Sequence, residues 1–264
     1  MMIKRNNSII KFSLLGLLVA GLSACDLAEK SSEKKEVDSQ LEMAVMSDVD
    51  TKKSDFFNSL LPAIDIENQR VEKERSTLFS MKARLDANKT ITTQQSNIAE
   101  SLANNYKFDI KESGVDLSWI NEMLSRVDLI PAPLILSQGA NESAWGTSRF
   151  AKEGNNFFGQ WCYSKGCGII PAARNEGSTH EVASFESPQQ SVHAYFMNVN
   201  RNKAYSELRQ IRKQLRTEDP DASETRRAND LANGLMRYSE RGHEYVSEIQ
   251  AMIRHNKKFW SNNV

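Results

Sequence analysis

The chain has 264 residues, of which 39% are hydrophobic and 26% charged, with a formal net charge of zero. One catalytic domain plus an accessory segment fits that size. The neutral balance supplies no positive field for nucleic acid, and no apolar run is long enough to span a bilayer.

Residues 1–24 read as a processing signal. Lys4, Arg5 and Lys11 give a positive start, and Phe12–Ala20 is an apolar run too short to span. The segment closes with Leu22-Ser-Ala-Cys25, which resembles the lipobox of bacterial lipoproteins, where the cysteine becomes the acylated first residue. An ordinary secretory signal cleaved near Ala24 is the alternative. The lipoprotein reading makes Cys25 a lipidation site and places the protein in the bacterial cell envelope, as a periplasmic lipoprotein held to a membrane by its acyl chains. Asp26 resembles a signal that keeps some such proteins on the inner membrane, and the choice of membrane stays open.

Residues 25–53 are expected to be a flexible tether. After Cys25 the stretch has no aromatic, Gly or Pro and mixes Glu, Asp, Lys and Ser, too little apolar surface to drive folding. Its reach would be roughly 30 Å.

A helical accessory segment is expected over 54–110. Ile64, Val71, Leu78 and Leu85 recur every seven residues with Met81 alongside, and Ile91, Ile98, Leu102 and Tyr106 continue the stripe. Asn68, Arg75 and Lys82 interrupt it. A helical hairpin lying on the catalytic domain is therefore expected rather than a coiled-coil dimer, and the protein is expected to be a monomer.

The catalytic domain is expected over 111–264. Asp116 can cap a helix with the apolar face Leu117, Ile120, Leu124 and Val127, stopping at Ile130-Pro131. Pro133 suits the first turn of the next helix, read as ending at Gly146. Gly139, Ala140, Ser143 and Ala144 give that helix a small face for close approach. Glu142 lies in its last turn, with Trp145 three residues on. Unpaired carbonyls, the negative end of the helix dipole and an adjacent indole would all disfavour its charged form. Glycosidases prepare a proton donor in this way. A second short helix ends at Gly154, and an Asn/Gly/aromatic loop follows.

Residues 160–186 read as a small β-rich flap around Ile169-Ile170-Pro171, Glu181-Val-Ala183 and Phe185. Export permits disulfides, and the pair Cys162 and Cys167, closing a tight loop, is expected to bridge. Two cysteines cannot complete a zinc site, and His180, His193, His243 and His255 are scattered, so no metal or cofactor is expected. Helices then resume. Ser187-Pro-Gln-Gln190 reads as a capping box, Leu208, Ile211 and Leu215 mark a further helix, and Ser223 can cap another through Leu235. The last helix carries Tyr245, Val246, Ile249 and Ile253. Arg201, Lys203, Arg209, Arg212, Lys213 and Arg216 read as a solvated basic face. The fold class is mainly α (α+β), with a small β insertion.

Asn141-Glu-Ser-Ala-Trp-Gly-Thr-Ser-Arg-Phe-Ala151 and Gly154-Asn-Asn-Phe-Phe-Gly-Gln-Trp-Cys162 resemble the Bax-type branch of the bacterial peptidoglycan glucosaminidases. Arg126-Val-Asp-Leu-Ile-Pro131, Ser191-Val-His-Ala-Tyr195 and Leu235-Met-Arg-Tyr-Ser-Glu-Arg-Gly242 add to the resemblance, which covers roughly residues 55–258. It implies a lysozyme-like helical domain with a β-lobe, and hydrolysis of β-1,4 bonds after N-acetylglucosamine in peptidoglycan glycan strands. Glu142 matches the family's general acid. A β-lobe acid is implied as base or stabiliser; Glu176 and Glu181 both fall in the region, and Glu181 aligns better. A nucleophilic 2-acetamido group of the substrate is the alternative. Tyr238 matches a cleft tyrosine of the family. Trp145, Phe158, Tyr245 and Asn156 are further expected substrate contacts, with Trp161 another aromatic face and Asn156 also shaping its turn. A lytic transglycosylase and a catalytically silent glycan-binding lipoprotein are the rival readings.

Overall fold

The structure is a computed structural model that describes residues 23–172, 177 and 179–260, with side chains from residue 45 onward. The leader, the Cys25 side chain and Glu176 lie outside the described residues. The fold is mainly α with one small antiparallel sheet. No described helix is long and apolar enough to cross a membrane.

The chain divides into two units, residues 1–51 and residues 52–264. The first is helical from Ser23, within α1 (Ser23–Asp86), where the sequence reading expected a flexible tether over 25–53. The physical reason is propensity. The stretch lacks Gly and Pro, and Lys and Glu, both good helix formers, are among its commonest residues. Side chains 45–49 are all exposed, so packing does not hold them.

In the second unit, α1 contributes Phe56, Phe57, Leu60, Ile64, Val71, Leu78 and Met81 to a single core. α2 (Thr93–Tyr106) returns along it behind a complete capping box, in which Thr92 and Gln95 exchange hydrogen bonds. The buried seam of α1 also carries two carboxylates. Glu67, 3% exposed, accepts from Gln189 Nε2 at 2.9 Å and lies 3.0 Å from His193 Nδ1. Glu74 accepts from the Tyr106 hydroxyl at 2.6 Å. These polar seam positions match side chains on α2 and α6 of the same chain.

α3 (Leu117–Arg126) is capped by Asp116, which accepts from the Trp119 amide. α4 (Ala132–Ser143) follows Pro131, and α5 (Arg149–Gly154) begins at Ser148. α4 ends three residues before Gly146, because Ala144, Trp145 and Gly146 all adopt positive φ. The sheet consists of β1 (Trp161–Cys162), β2 (Gly168–Ile169) and β3 (Glu181–Ala183), with β3 in the middle and antiparallel to both. α6 (Pro188–Arg201), α7 (Ser206–Glu218), α8 (Glu224–Leu231) and α9 (His243–His255) complete the core. Ser187 and Ser223 cap α6 and α8. Only half of the expected Ser187 box forms, since the Gln190 side chain accepts from Glu186 N–H instead.

The expected solvated basic face is partly an interior. Arg209 and Arg212 are each 5% exposed. Arg209 donates to the Val199 and Asn202 carbonyls at the end of α6. Arg212 donates to the Ser125, Asp128 and Leu129 carbonyls and to Asn200 Oδ1. At the centre lies Asp128, 2% exposed, which pairs with Arg75 at 3.5 Å, Arg212 at 3.4 Å and Arg216. Burial alone would raise the Asp128 carboxyl, but Arg212, Arg216 and Arg75 overcome it and hold it below the usual carboxylate range. Helical periodicity does not distinguish a buried arginine from a solvated one, which is why the sequence reading missed this cluster.

Stability from Asp128 is therefore present at neutral pH and lost as pH falls through its lowered folded value. Asp128→Asn leaves three guanidiniums with no buried counter-charge, and denaturant titration should show a loss of about 3–5 kcal/mol.

Candidate active site

Glu142 projects from the last turn of α4, whose small face is used as the sequence implied. A Cβ at Gly139 would stand 3.3 Å from the Phe158 ring and 3.4 Å from Leu60, so α1 and the loop after α5 pack directly on the helix backbone. Ser143 Oγ donates to the Gly139 carbonyl and accepts from Gly146 N–H at 2.8 Å, closing the helix end. The carboxyl reaches a cavity of about 660 Å³. Its walls come from the 158–163 run, β3, the end of α6 with Asn198 and Arg201, Tyr205 and Tyr238. Among the described lining residues, Glu142 is the one carboxylate and Arg201 the one permanent cation.

Burial raises the Glu142 carboxyl above its ordinary value. Hydrogen bonding from Tyr245 and Asn141 and the charge of Arg241 oppose the rise, and Glu248 adds to it. Gly159 passes directly over the group. Its φ is +62°, and a Cβ there would lie 3.3 Å from Glu142 Oε2. Only glycine permits both that backbone turn and that approach without strain.

Tyr238 lines the cavity and donates its hydroxyl hydrogen to the Phe158 carbonyl at 2.8 Å. Its ring stacks on Tyr245 with centroids 5.4 Å apart. What Tyr238 offers the cavity is therefore an oxygen lone pair. Trp161 and Tyr163 also line it, 49% and 78% exposed. The sequence reading missed Tyr163, which lies just past β1, two residues after Trp161.

Other expected site residues lie elsewhere. Trp145, with φ +59°, turns away from Glu142 and packs on Phe57 and Phe56 of α1 at 5.4 and 5.9 Å, with Lys53 over its ring. It is not among the residues that line the cavity. Phe158 borders the cavity but is only 1% exposed, its ring tilted 31° against Tyr195 at 4.4 Å, so it offers a sugar little surface. Asn156 is 2% exposed with both side-chain ends committed, donating to the Gln160 and Ala183 carbonyls and accepting from Phe158 and Gln160 N–H. It shapes the turn and has nothing left for substrate. Tyr245 is 1% exposed and sits behind Glu142 rather than in the cavity wall.

Glu181 is also displaced from the expected catalytic role. It is buried in β3, where Oε1 accepts from Gly166 N–H at 3.0 Å and Oε2 from Gly168 N–H at 2.9 Å. The carboxylate clamps the loop closed by the Cys162–Cys167 disulfide, whose Cα atoms are 6.2 Å apart. Cys162, Cys167 and Glu181 are the one cluster of metal-ligand types among the described residues. Its sulfurs are bonded to each other and its carboxylate oxygens already accept amides, a donor set unsuited to a cation.

Because the folded state raises Glu142, its contribution is fully present below the ordinary carboxylate range and is lost as pH rises through the folded value. Glu142→Gln should therefore melt at a higher temperature than the native protein at neutral pH. The two should converge in acid, as read by calorimetry across pH.

A family signature described as mannosyl-glycoprotein endo-beta-N-acetylglucosaminidase matches residues 118–258. Protein bax of Escherichia coli (strain K12) is 31% identical over 209 residues, covering 78% of this chain and 70% of that protein. No solved structure matches the chain. The matched span contains α4 with Glu142, the sheet and the tyrosines behind the acid. With the signature covering over half of the sequence, the chain belongs to the glucosaminidase family, in its Bax-type branch.

Proposed function

We propose that the protein hydrolyses the β-1,4 bond after N-acetylglucosamine in peptidoglycan, with Glu142 as general acid. Membership of the glucosaminidase family supports a glycosidase acting on glycans. The observation that carries the finer reading is a single carboxyl, raised by burial, on a rigid helix end at the wall of an open cavity. A carboxyl whose protonated form is favoured by burial can donate to the departing glycosidic oxygen as the bond lengthens. The flat faces of Trp161 and Tyr163 suit the apolar faces of sugar rings, while Asn198, Asn202 and Arg201 supply polar partners at the other wall.

Positive charge develops at the anomeric carbon as the leaving group departs. With Glu181 committed to the disulfide loop, no second carboxylate lies among the described cavity walls. That favours attack by the substrate's own 2-acetamido oxygen. In this reading the Tyr238 lone pair would accept from the acetamido N–H and turn that oxygen toward the carbon. The same lack of a second described carboxylate favours a lytic transglycosylase as the alternative, in which a sugar hydroxyl takes the place of water. The lipobox-like run ending at Cys25 supports an envelope lipoprotein, which would set the cleft near its wall substrate.

Digestion of purified sacculi, with product ends read by mass spectrometry, tests the reading. Each cut should add one water and yield a reducing N-acetylglucosamine; anhydro ends would establish the transglycosylase. Glu142→Gln should lower turnover by about two to four orders of magnitude, the usual size of a general-acid contribution, while leaving the fold intact. Unchanged turnover would refute the assignment.

A further inference from the structure

Behind Glu142 lies a buried chain of hydrogen bonds whose direction is determined by its first member. The Tyr195 hydroxyl has one hydrogen, and it goes to Gln138 Oε1. The Gln138 amide must then turn Nε2 outward, and it donates to the Tyr245 oxygen at 2.9 Å. Having accepted there, Tyr245 has its own hydrogen free for the Glu142 carboxyl, with which it interacts. Tyr195 and Gln138 are fully buried and Tyr245 is 1% exposed. Gln138 and Glu142 are four residues apart on α4, so both side chains lie on one face.

The opposite polarity carries a penalty. With the amide reversed, Nε2 would face the Tyr195 oxygen and the Tyr195 hydrogen would lose its Oε1 acceptor. Leaving such a group unpaired costs about 1–3 kcal/mol. The Tyr245 hydrogen would then point at Oε1 and desert Glu142.

We infer that Gln138 is a positioning residue, oriented by Tyr195, that fixes the Tyr245 hydroxyl hydrogen on Glu142. The inference rests on Glu142 being the acid. One carboxyl oxygen is held from behind, which leaves the other to face the leaving group. When the proton departs, the buried carboxylate that remains already has a hydrogen-bond donor in place, so no reorganisation is needed. Tyr238 does not compete for this position, because its hydrogen is committed to Phe158. The other groups acting on Glu142 are Asn141 on its own helix, Arg241 and Glu248 at α9, and the neutral hydroxyls of Tyr195 and Tyr205. Arg241 is spoken for by Glu248 at 2.6 Å.

The test uses the full chain carrying Tyr195→Phe or Tyr245→Phe. Phenylalanine keeps each ring packed. Without the Tyr195 hydroxyl nothing fixes the polarity of the Gln138 amide, so the reversed form, in which Tyr245 donates to Oε1 and leaves Glu142, becomes populated. The Glu142 carboxyl then ionises at higher pH in both variants, by about one pH unit in Tyr245→Phe, the worth of one hydrogen bond, and by a smaller amount in Tyr195→Phe. Two measurements read the shift: the basic limb of kcat/KM on sacculi against pH, and the 13C titration of the Glu142 carboxyl carbon, which needs no substrate. Loss of packing alone would lower rates at every pH and leave the limb in place. A limb and a carbon titration that move in Tyr245→Phe but stay fixed in Tyr195→Phe would overturn the role of Gln138. No movement in either would remove the whole chain of bonds. Carbon shifts as expected together with full turnover in Glu142→Gln would leave the hydrogen-bond chain standing and sink the catalytic reading on which its purpose rests.

Discussion

The buried pairing of Asp128 with Arg75, Arg212 and Arg216 holds the site together. Asp128 lies in the short link between α3 and α4, and its partners come from α1 and α7. Asn68 of α1 clamps both backbone groups of Ile130 at 3.2 Å, and Glu224 of α8 accepts from the Ala132 amide at the start of α4. The helix that carries Glu142 is thus anchored at its start, and through the link before it, by three other helices, α1, α7 and α8. Buried ion pairs are a poor source of net stability but a strict source of geometry, because every misplacement leaves a charge uncompensated. A general acid requires positional accuracy more than it requires stability.

The other end of α4 meets the opposite constraint. There the protein places an acid where its charged form is disfavoured, under the backbone of Gly159 and against a wall of tyrosines. Left alone, burial would make that carboxyl too reluctant to release its proton. The hydroxyl of Tyr245 offsets part of the penalty, and the Gln138–Tyr195 pair decides that this hydroxyl donates rather than accepts. Anchoring at the base of α4 and polar tuning at its tip therefore serve one function through different physics.

The β-lobe has its own logic. Three strands of two or three residues are too short to be stable alone. A disulfide and the Glu181 carboxylate close the loop between β1 and β2, while Asn156 ties the preceding turn to β1 and β3. Those fixtures allow Trp161 and Tyr163 to stand exposed at the cavity without collapsing into the core. Glu181 was the expected second acid because it is an acid in the right stretch of sequence. Its two oxygens are occupied by backbone amides, a fact that no one-dimensional pattern records.

The sequence by itself determined most of the helices, the residues that cap them and the place of Glu142 near a helix end. Those follow from local rules: a 3.6-residue period, and Asp116, Ser187 and Ser223 at helix starts. It also carried the family, through an ordered run of motifs. Tertiary structure alone decided what each polar side chain does. Trp145 faces α1 instead of the acid, and Asn156, Glu181 and Tyr245 are held inside, while Arg209 and Arg212 are drawn into the interior. The reason is that a polar residue's role depends on which donors and acceptors surround it and how much water remains. Those neighbours come from helices as far as 107 residues away in the chain, as for Gln138 and Tyr245.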